Sequence, residues 1–305
     1  MKSVLLAAVL SLALAAPARA DIAQAMAAYR AGNYEAAFRA FATLAEAGDA
    51  NAQFNLGNMY MGGKGVVRDY AEAHKWYERA AAQDLAVAQT RIGMLYFEGL
   101  GVVRDYAEAE RWFRRAAARD EPDAEARLGV MYLEGRGVAR DAGQAHDWFR
   151  RAAARDDPLA EYYLGMMRRR GIGIGRDDAA AARWLRRAAE QNHPLAQFEL
   201  GLMRLAGEGV ARDAGKAEAW FWFAAEQGLS VAQYDLGLMY ARGDGVTRDY
   251  VIAYKWLDLA AANALLDDER SRAERNRARI ARLMSPAEIA SARRRTRTWL
   301  AEHMK

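Results

Sequence analysis

The residues that could do chemistry in this chain are few, and they are spread along its whole length. Four histidines offer imidazole nitrogens that could bind a metal or move a proton, and cysteine is absent. These histidines are His74, His146, His193 and His303. No His-Glu-x-x-His motif occurs, and no acidic residues cluster at the spacing of metal ligands. The sequence therefore predicts no metal and no cofactor.

Serine, another common nucleophile, is scarce beyond residue 20. It is found at Ser230, Ser271, Ser285 and Ser291. None of these stands in Gly-x-Ser-x-Gly or Ser-x-x-Lys, the arrangements that activate a serine nucleophile. We therefore predict that the protein is not an enzyme.

Three adjacent arginines, Arg168, Arg169 and Arg170, precede a glycine-rich segment at 171–175. Guanidinium groups bind carboxylates through paired hydrogen bonds, so the cluster could receive an acidic ligand. The favoured alternative is a solvated helix end, where arginine complements the dipole of the helix C-terminus. The glycine-rich segment is not a phosphate cradle, because it lacks the Lys-Ser/Thr pair of such loops.

The composition is that of a globular chain. Of the 305 residues, 52% are hydrophobic and 28% are charged, which is enough for a large core and argues against intrinsic disorder. The 44 basic and 40 acidic side chains give a formal net charge of +4. The lack of cysteine excludes a disulfide scaffold and a thiolate metal site.

Residues 1–20 have the layout of a secretory signal peptide. An apolar run from Val4 to Ala16 follows a basic residue, and an Ala-Arg-Ala triplet ends the segment. The run is shorter than the roughly 20 residues of a membrane span, and no other long apolar segment follows. We expect the mature chain to begin at Asp21 and to be periplasmic or secreted, without an integral membrane span.

A fixed internal period organises the rest of the chain. Gly57 and Gly93, each at the end of a Leu-Gly or Ile-Gly pair, are 36 residues apart, and the interval recurs without insertion. The glycines are Gly57, Gly93, Gly129, Gly165, Gly201 and Gly237. Tryptophan keeps the same period at Trp76, Trp112, Trp148, Trp184, Trp220 and Trp256. A period between roughly 20 and 50 residues is typical of a solenoid, in which each unit buries its apolar face against its neighbours.

Each repeat predicts two helices. Apolar residues of the first repeat recur at helical spacing in helix A and again in helix B. Those of helix A are Ala52, Leu56, Met59 and Tyr60, and the inward residues of helix B are Ala73, Trp76, Tyr77 and Ala80. Asp69, with Glu72 three residues later, is the predicted N-cap of helix B rather than a catalytic carboxylate.

The residues that recur in each 36-residue repeat resemble the Sel1-like repeat, a relative of the tetratricopeptide repeat. In the first repeat the matching residues are Ala52, Leu56, Gly57, Tyr60, Gly63, Gly65, Val66, Asp69, Ala73, Trp76, Ala80 and Ala81. The resemblance covers six repeats over residues 50–263, after a helix pair at 21–49 that looks like a tetratricopeptide repeat. Residues 264–305 are predicted to form capping helices. The resemblance implies an all-α, right-handed α-solenoid that binds proteins or peptides.

Residues that occupy the same position in successive repeats form a column along the stack. The helix A columns whose residue type varies between repeats are the predicted partner-binding surface. In related helical solenoids these free columns line the concave face, where aromatic residues and methionine could anchor a peptide. The predicted partner-binding residues are Phe54, Tyr162, Met166, Phe198, Leu202, Tyr234 and Leu238. An alternative of equal weight is that these side chains only fill contacts between successive helices.

Near the C-terminal end, Trp222 and Phe223 occupy helix B columns that hold paired arginines in repeats two to four. The favoured interpretation is that the C-terminal helices cover them, since helical stacks need an end cap. A partner site is the alternative.

The sequence thus predicts an exported, non-enzymatic scaffold that binds a protein or peptide partner, with no nucleic-acid partner. Regulation of an envelope signalling complex is a variant that the resemblance implies. The alternative is a secreted envelope hydrolase acting on peptidoglycan or β-lactams, as some family members do. Those members are rich in cysteine, which this chain lacks.

Overall fold

A computed structural model describes residues 21–303, so the predicted signal peptide at 1–20 lies outside the described residues. Within 21–303 the chain forms sixteen α-helices and no β-strand. The helices are α1 (Ile22–Arg30), α2 (Tyr34–Glu46), α3 (Ala50–Gly62), α4 (Tyr70–Ala82), α5 (Ala86–Glu98), α6 (Tyr106–Ala117), α7 (Pro122–Glu134), α8 (Ala142–Ala153), α9 (Pro158–Arg170), α10 (Asp178–Glu190), α11 (Pro194–Ala206), α12 (Ala214–Glu226), α13 (Ser230–Arg242), α14 (Tyr250–Asn263), α15 (Asp267–Ala281) and α16 (Pro286–His303).

The helices belong to two compact units. The first ends at Arg119 and contains α1 to α6, and the second begins at Asp120 and contains α7 to α16. Within each unit, helix A of a repeat packs on its helix B, and helix B packs on helix A of the next repeat. The predicted all-α fold of stacked helix pairs is confirmed.

The predicted start of helix B is confirmed by the cap of α4. The Asp69 carboxylate accepts hydrogen bonds from the backbone N–H groups of Ala71 at 2.9 Å and Glu72 at 3.0 Å. Such a cap satisfies donors that the first helical turn leaves without partners. Gly63 is the C-cap of helix α3, and its φ of 64° is left-handed and therefore suits glycine. The repeated aspartate is a structural residue.

The repeated glycine of helix A makes room for a large side chain of helix B. A Cβ atom built on Gly201 would lie 2.6 Å from Cε1 of Phe221, which is too close for two carbon atoms. The buried residues of this helix B column are Tyr77, Phe113, Phe149, Leu185, Phe221 and Leu257. Trp76, also predicted to point inward, packs against the core cluster of α1 to α3 but is only half-buried, and the Arg79 guanidinium lies 4.3 Å from its ring centroid.

A column of buried polar side chains runs through the repeats, and the sequence analysis did not foresee it. Its members are Gln53, Gln89, Glu125, Glu161, Gln197 and Gln233. The Gln197 amide donates to the carbonyl oxygen of Ala189 at 3.1 Å and accepts from Nε2 of Gln227 at 2.8 Å. Because buried polar groups are costly when unpaired, these bonds fix α11 against α10, the preceding helix B, and against the end of α12.

The fourth repeat has a carboxylate in this column. Glu161 is fully buried, and its Oε1 lies 2.6 Å from Nη2 of Arg187, while Nε2 of Gln191 donates to its Oε2 at 2.9 Å. Arg187 also donates to the carbonyl oxygen of Ala153 at 3.3 Å. A glutamine at position 161 would donate to that same carbonyl group, as Gln197 donates to Ala189. Burial raises the pKa of Glu161, and the Arg187 guanidinium opposes that rise.

The two C-terminal helices pack on α14. A capping box begins α16, in which Ser285 and Glu288 exchange hydrogen bonds at 2.7 and 3.3 Å. Trp299 of α16 is buried in the core of the last repeats, and its indole N–H donates to the Glu226 carboxylate at 2.8 Å.

The interpretation that the C-terminal helices cover Trp222 and Phe223 is wrong, since these residues remain 42% and 45% exposed. Trp222 only borders an open groove that also contains Trp299. Since Trp299 anchors α16 in the core of α12 to α14, the helix lies beside the exposed pair instead of over it.

Candidate functional site

The seven predicted partner-binding residues all lie on helix A of their repeats. Phe54 belongs to the first unit, and the other six belong to the second. Met166 is 6% exposed and packs in the core of the fourth and fifth repeats, so little of its surface is accessible. The other six are half-buried. Such partial exposure combines packing within the stack with a surface that a partner can reach.

Two of these aromatic residues pack on the buried column of helix B. The ring centroid of Phe54 lies 5.8 Å from that of Tyr77, and the centroid of Phe198 lies 5.4 Å from that of Phe221. These distances are ordinary for aromatic pairs in protein cores. Part of each ring therefore serves the contact between helices, as the alternative interpretation held.

Tyr162 stacks on His193, with ring centroids 4.8 Å apart. Burial raises the pKa of Tyr162 to about 12 and lowers the pKa of His193 to about 4. Nδ1 of His193 accepts a hydrogen bond from the backbone N–H of Ala196 at 3.2 Å, so the imidazole caps α11. This histidine is a neutral structural residue near pH 7.

Phe198 and Tyr234 meet at a cavity of about 210 Å³ between α11, α13, α14 and α15. Its lining residues are Phe198, Ser230, Val231, Tyr234, Asp235, Ala260, Glu269, Arg272 and Ala273. Asn276 of α15 donates to the Tyr234 hydroxyl at 3.0 Å and thereby fixes that ring. Leu238 packs near Ile280 of α15, so the C-terminal region partly covers helix A of the last repeat.

The cavity holds two carboxylates that the sequence analysis missed. Among residues 21–303, neither Asp235 nor Glu269 has a hydrogen bond or an ion pair to its carboxylate. Burial raises the pKa of Asp235 to about 6, although Arg242 and Arg272 lower it. A carboxylate in this setting favours a cation close to it.

Of the predicted residues, Phe198 and Tyr234 are thus brought together. Leu202 packs with Phe198 in the core cluster of the last two repeats. Tyr162 and Met166 belong to a different cluster, one repeat earlier. The candidate site is therefore narrower than the predicted surface.

The arginine cluster does not converge on one ligand site. Arg168 donates to the carbonyl oxygen of Gly175 at 3.2 Å. Arg169 forms ion pairs with Glu199 and with Glu208, the second at 3.0 Å. Two of the three guanidinium groups are therefore engaged within the chain.

Within residues 21–303, no three His, Asp or Glu side chains come together in a way that could hold a metal ion. No helix in the same range has the length and apolar character needed to cross a bilayer.

The fold and the site define a class: a helical repeat protein whose helix A surface carries a half-exposed aromatic cavity. A profile of the Sel1 repeat matches six consecutive segments, at residues 50–85, 86–121, 122–157, 158–193, 194–229 and 230–265. The chain belongs to the Sel1 repeat family. Sel1 repeats generally act as scaffolds for protein–protein interaction, which agrees with a site that offers shape and charge.

Solved structures of Sel1 repeat proteins support this assignment. A Sel1 repeat protein from Oxalobacter formigenes is 34% identical over 80% of this chain and 100% of its own, with a TM-score of 0.72. The protein c5321, a protective antigen of uropathogenic Escherichia coli with an SLR fold, is 29% identical over 92% of this chain and 72% of its own, with a TM-score of 0.59. The predicted α-solenoid class is confirmed.

The immunity protein Pa5087 from Pseudomonas aeruginosa is 18% identical over 70% of this chain and 81% of its own, with a TM-score of 0.52, and this likeness concerns the fold alone. A search of curated protein sequences returned no significant match.

Proposed function

We propose that this protein is an exported, non-enzymatic scaffold that binds a protein or peptide on the helix A surface of its last repeats. The cavity between Phe198 and Tyr234 is the observation that carries this proposal. Aromatic side chains that are half-buried and held by neighbours bind partners at a low entropic cost, and they dominate the affinity of many interfaces.

The chemistry of the site supports binding rather than catalysis. Its polar groups are two carboxylates, one guanidinium and the hydroxyls of Ser230 and Tyr234, and none of the serines of the sequence stands in a motif that activates a nucleophile. A catalytic site would need a nucleophile or base with an orienting partner. The cavity offers aromatic walls and charge, which are features of recognition.

The test is recovery of partners from the envelope fraction with the purified protein as bait. In the variant, Tyr162, Phe198 and Tyr234 are changed to alanine. The matched control changes Trp222 and Phe223 to alanine, because it removes exposed aromatic surface from helix B. We expect the first variant to lose a partner that the wild type and the control both retain.

Folding of each variant is checked by circular dichroism, because Phe198 also packs on Phe221. A second variant, Val231→Trp, keeps all three aromatic residues and places bulk at the cavity wall. If folded variants of both kinds retain every partner of the wild type, the proposed binding surface is wrong.

Export is tested separately. We expect the protein to be recovered from the periplasm or the medium with Asp21 as its first residue, because the pattern at 1–20 is that of a signal peptide. Recovery of the full-length chain in the cytoplasm alone would contradict this part of the proposal.

A further inference from the structure

We infer that the cavity between Phe198 and Tyr234 binds a cationic side chain of the partner, a guanidinium or an ammonium group, at the Asp235 carboxylate. The inference rests on the proposed function and adds the chemical class of the group that is recognised. The repeat pattern alone does not require this binding site, because the site depends on residues that differ between the fifth and the sixth repeats.

The preceding repeat contains an internal precedent. Glu199 occupies in the fifth repeat the position that Asp235 occupies 36 residues later, and it is ion-paired with Arg169. The position of Arg169 is taken in the next repeat by Leu205. The sixth repeat therefore keeps the carboxylate but lacks the arginine that neutralises it.

The two guanidinium groups that act electrostatically on Asp235 each lie within ion-pair distance of another carboxylate. Arg242 of its own helix lies 4.0 Å from the Asp244 carboxylate, and Arg272 of α15 lies 3.3 Å from that of Asp268. Within 21–303, neither comes within ion-pair distance of Asp235, and Glu269 adds a second carboxylate without a partner. Arg272 itself lines the cavity, but two carboxylates against one guanidinium leave a net negative charge there, which favours a cation from outside.

The walls of the cavity fit the same ligand. Phe198 and Tyr234 present aromatic rings, and a ring face attracts a cation through its quadrupole. The volume of about 210 Å³ suits one long side chain rather than a folded element. Ser230 at the start of α13 adds a hydroxyl that can accept a hydrogen bond from such a group.

The experiment uses two small probes and the methyl groups of the cavity wall. Acetyl-arginine amide is titrated above pH 7 into protein carrying ¹³C-labelled alanine methyl groups, and acetyl-citrulline amide is the neutral probe of similar shape. Ala260 and Ala273 report on the cavity. We expect their signals to shift with the arginine probe, and the citrulline probe to bind about tenfold more weakly or not at all.

Three variants test whether the arginine probe binds at the Asp235 carboxylate. Asp235→Asn removes the charge, and Leu205→Arg supplies the internal arginine of the preceding repeat without changing the aromatic walls. Both should weaken binding of the arginine probe about tenfold. Asp267→Asn removes a carboxylate of the same helix as Glu269 but outside the cavity, and it should leave binding unchanged.

Equal shifts with both probes, no shift with either, or undiminished binding by Asp235→Asn would overturn the inference. If Asp235→Asn does not fold, Leu205→Arg makes the same test. If the arginine-probe test fails but the aromatic variants still lose a partner, the proposed function stands without the cationic ligand. If both tests fail, this surface does not bind a partner.

Discussion

The buried Glu161 of the fourth repeat allows the energetics of the polar column to be tested directly. The perturbation is Arg187→Ala, which removes the guanidinium 2.6 Å from the Glu161 carboxylate. Removal of one partner from a buried ion pair costs about 3–5 kcal/mol, because it leaves an uncompensated charge. The Arg187 side chain is 45% exposed, so water replaces part of what is lost, and we expect about 2–3 kcal/mol.

The second perturbation, Glu161→Gln, should cost less than about 1 kcal/mol. A glutamine keeps an oxygen that can accept from Gln191, and its amide can donate to the carbonyl oxygen of Ala153. Gln197 makes the corresponding bond to Ala189 at 3.1 Å in the next repeat. The glutamine thus takes over a bond that Arg187 makes in the wild type.

Arg187 has other contacts that its removal would also break, including the Asp156 carboxylate at 2.8 Å and the Trp184 ring at 4.9 Å. A double-mutant cycle cancels them, because they are lost in both backgrounds. In the Glu161→Gln background, Arg187→Ala should cost only about 1 kcal/mol, which gives a coupling energy of about 1–2 kcal/mol.

The assay is urea unfolding followed by far-ultraviolet circular dichroism at neutral pH, with hydrogen exchange of α9 and α10 amides as a local readout. The local readout is needed because repeats in a stack can unfold separately. A coupling energy below about 0.5 kcal/mol by both measurements would refute the claim that the arginine compensates a buried carboxylate.

Three further predictions concern stability. Gly201→Ala should destabilise by about 1–2 kcal/mol in urea unfolding, because the clash with Phe221 exceeds the gain in helix propensity; a neutral result would contradict the close approach. Arg119→Gln should stabilise by about 0.5–1 kcal/mol, because within 21–303 the buried Oε1 of Gln89 accepts no hydrogen bond, and position 119 corresponds to Gln227, whose amide donates to Gln197. This gain exceeds the loss of the exposed ion pair between Arg119 and Asp84, and an unchanged urea midpoint would count against it. Burial raises the pKa of Asp157 to about 6, so its native state binds the proton more tightly than the unfolded state, and its contribution to stability falls as pH rises from about 4 to 6. Asp157→Asn should therefore unfold at higher temperature than wild type at pH 7 but not at pH 4, and equal offsets at both pH values would contradict the assignment.

The elements that sequence could predict are those with local signals. The start of α4 follows from Asp69 and Glu72, which act within one turn of the helix they begin. Tyr77 is fully buried and Trp76 only half-buried because the Tyr77 ring occupies the space above Gly57, a residue of another helix. Helical spacing places both residues near the inward face, so spacing alone could not separate them.

The residues of the candidate site likewise include some that the sequence could predict and some that it could not. Phe198 and Tyr234 could be predicted, because a comparison of repeats shows which columns the fold leaves free. Asp235 and the contribution of α15 could not, because the C-terminal region does not follow the period and its contact through Asn276 joins residues far apart in sequence. The buried polar column did have a signal: an amide or carboxylate recurs in every repeat at the position of Gln53.

Photo-crosslinking in cells can show whether the helix A surface of the last repeats binds a partner. A benzophenone amino acid is placed at Leu202, which is half-buried beside Phe198, and in a control at Val103, which is 87% exposed in a loop of the first unit. We expect a discrete crosslinked partner from Leu202 that is absent from Val103 and is lost with Tyr234→Ala. Crosslinks of equal yield at both positions, or none at Leu202 in a folded protein, would contradict it.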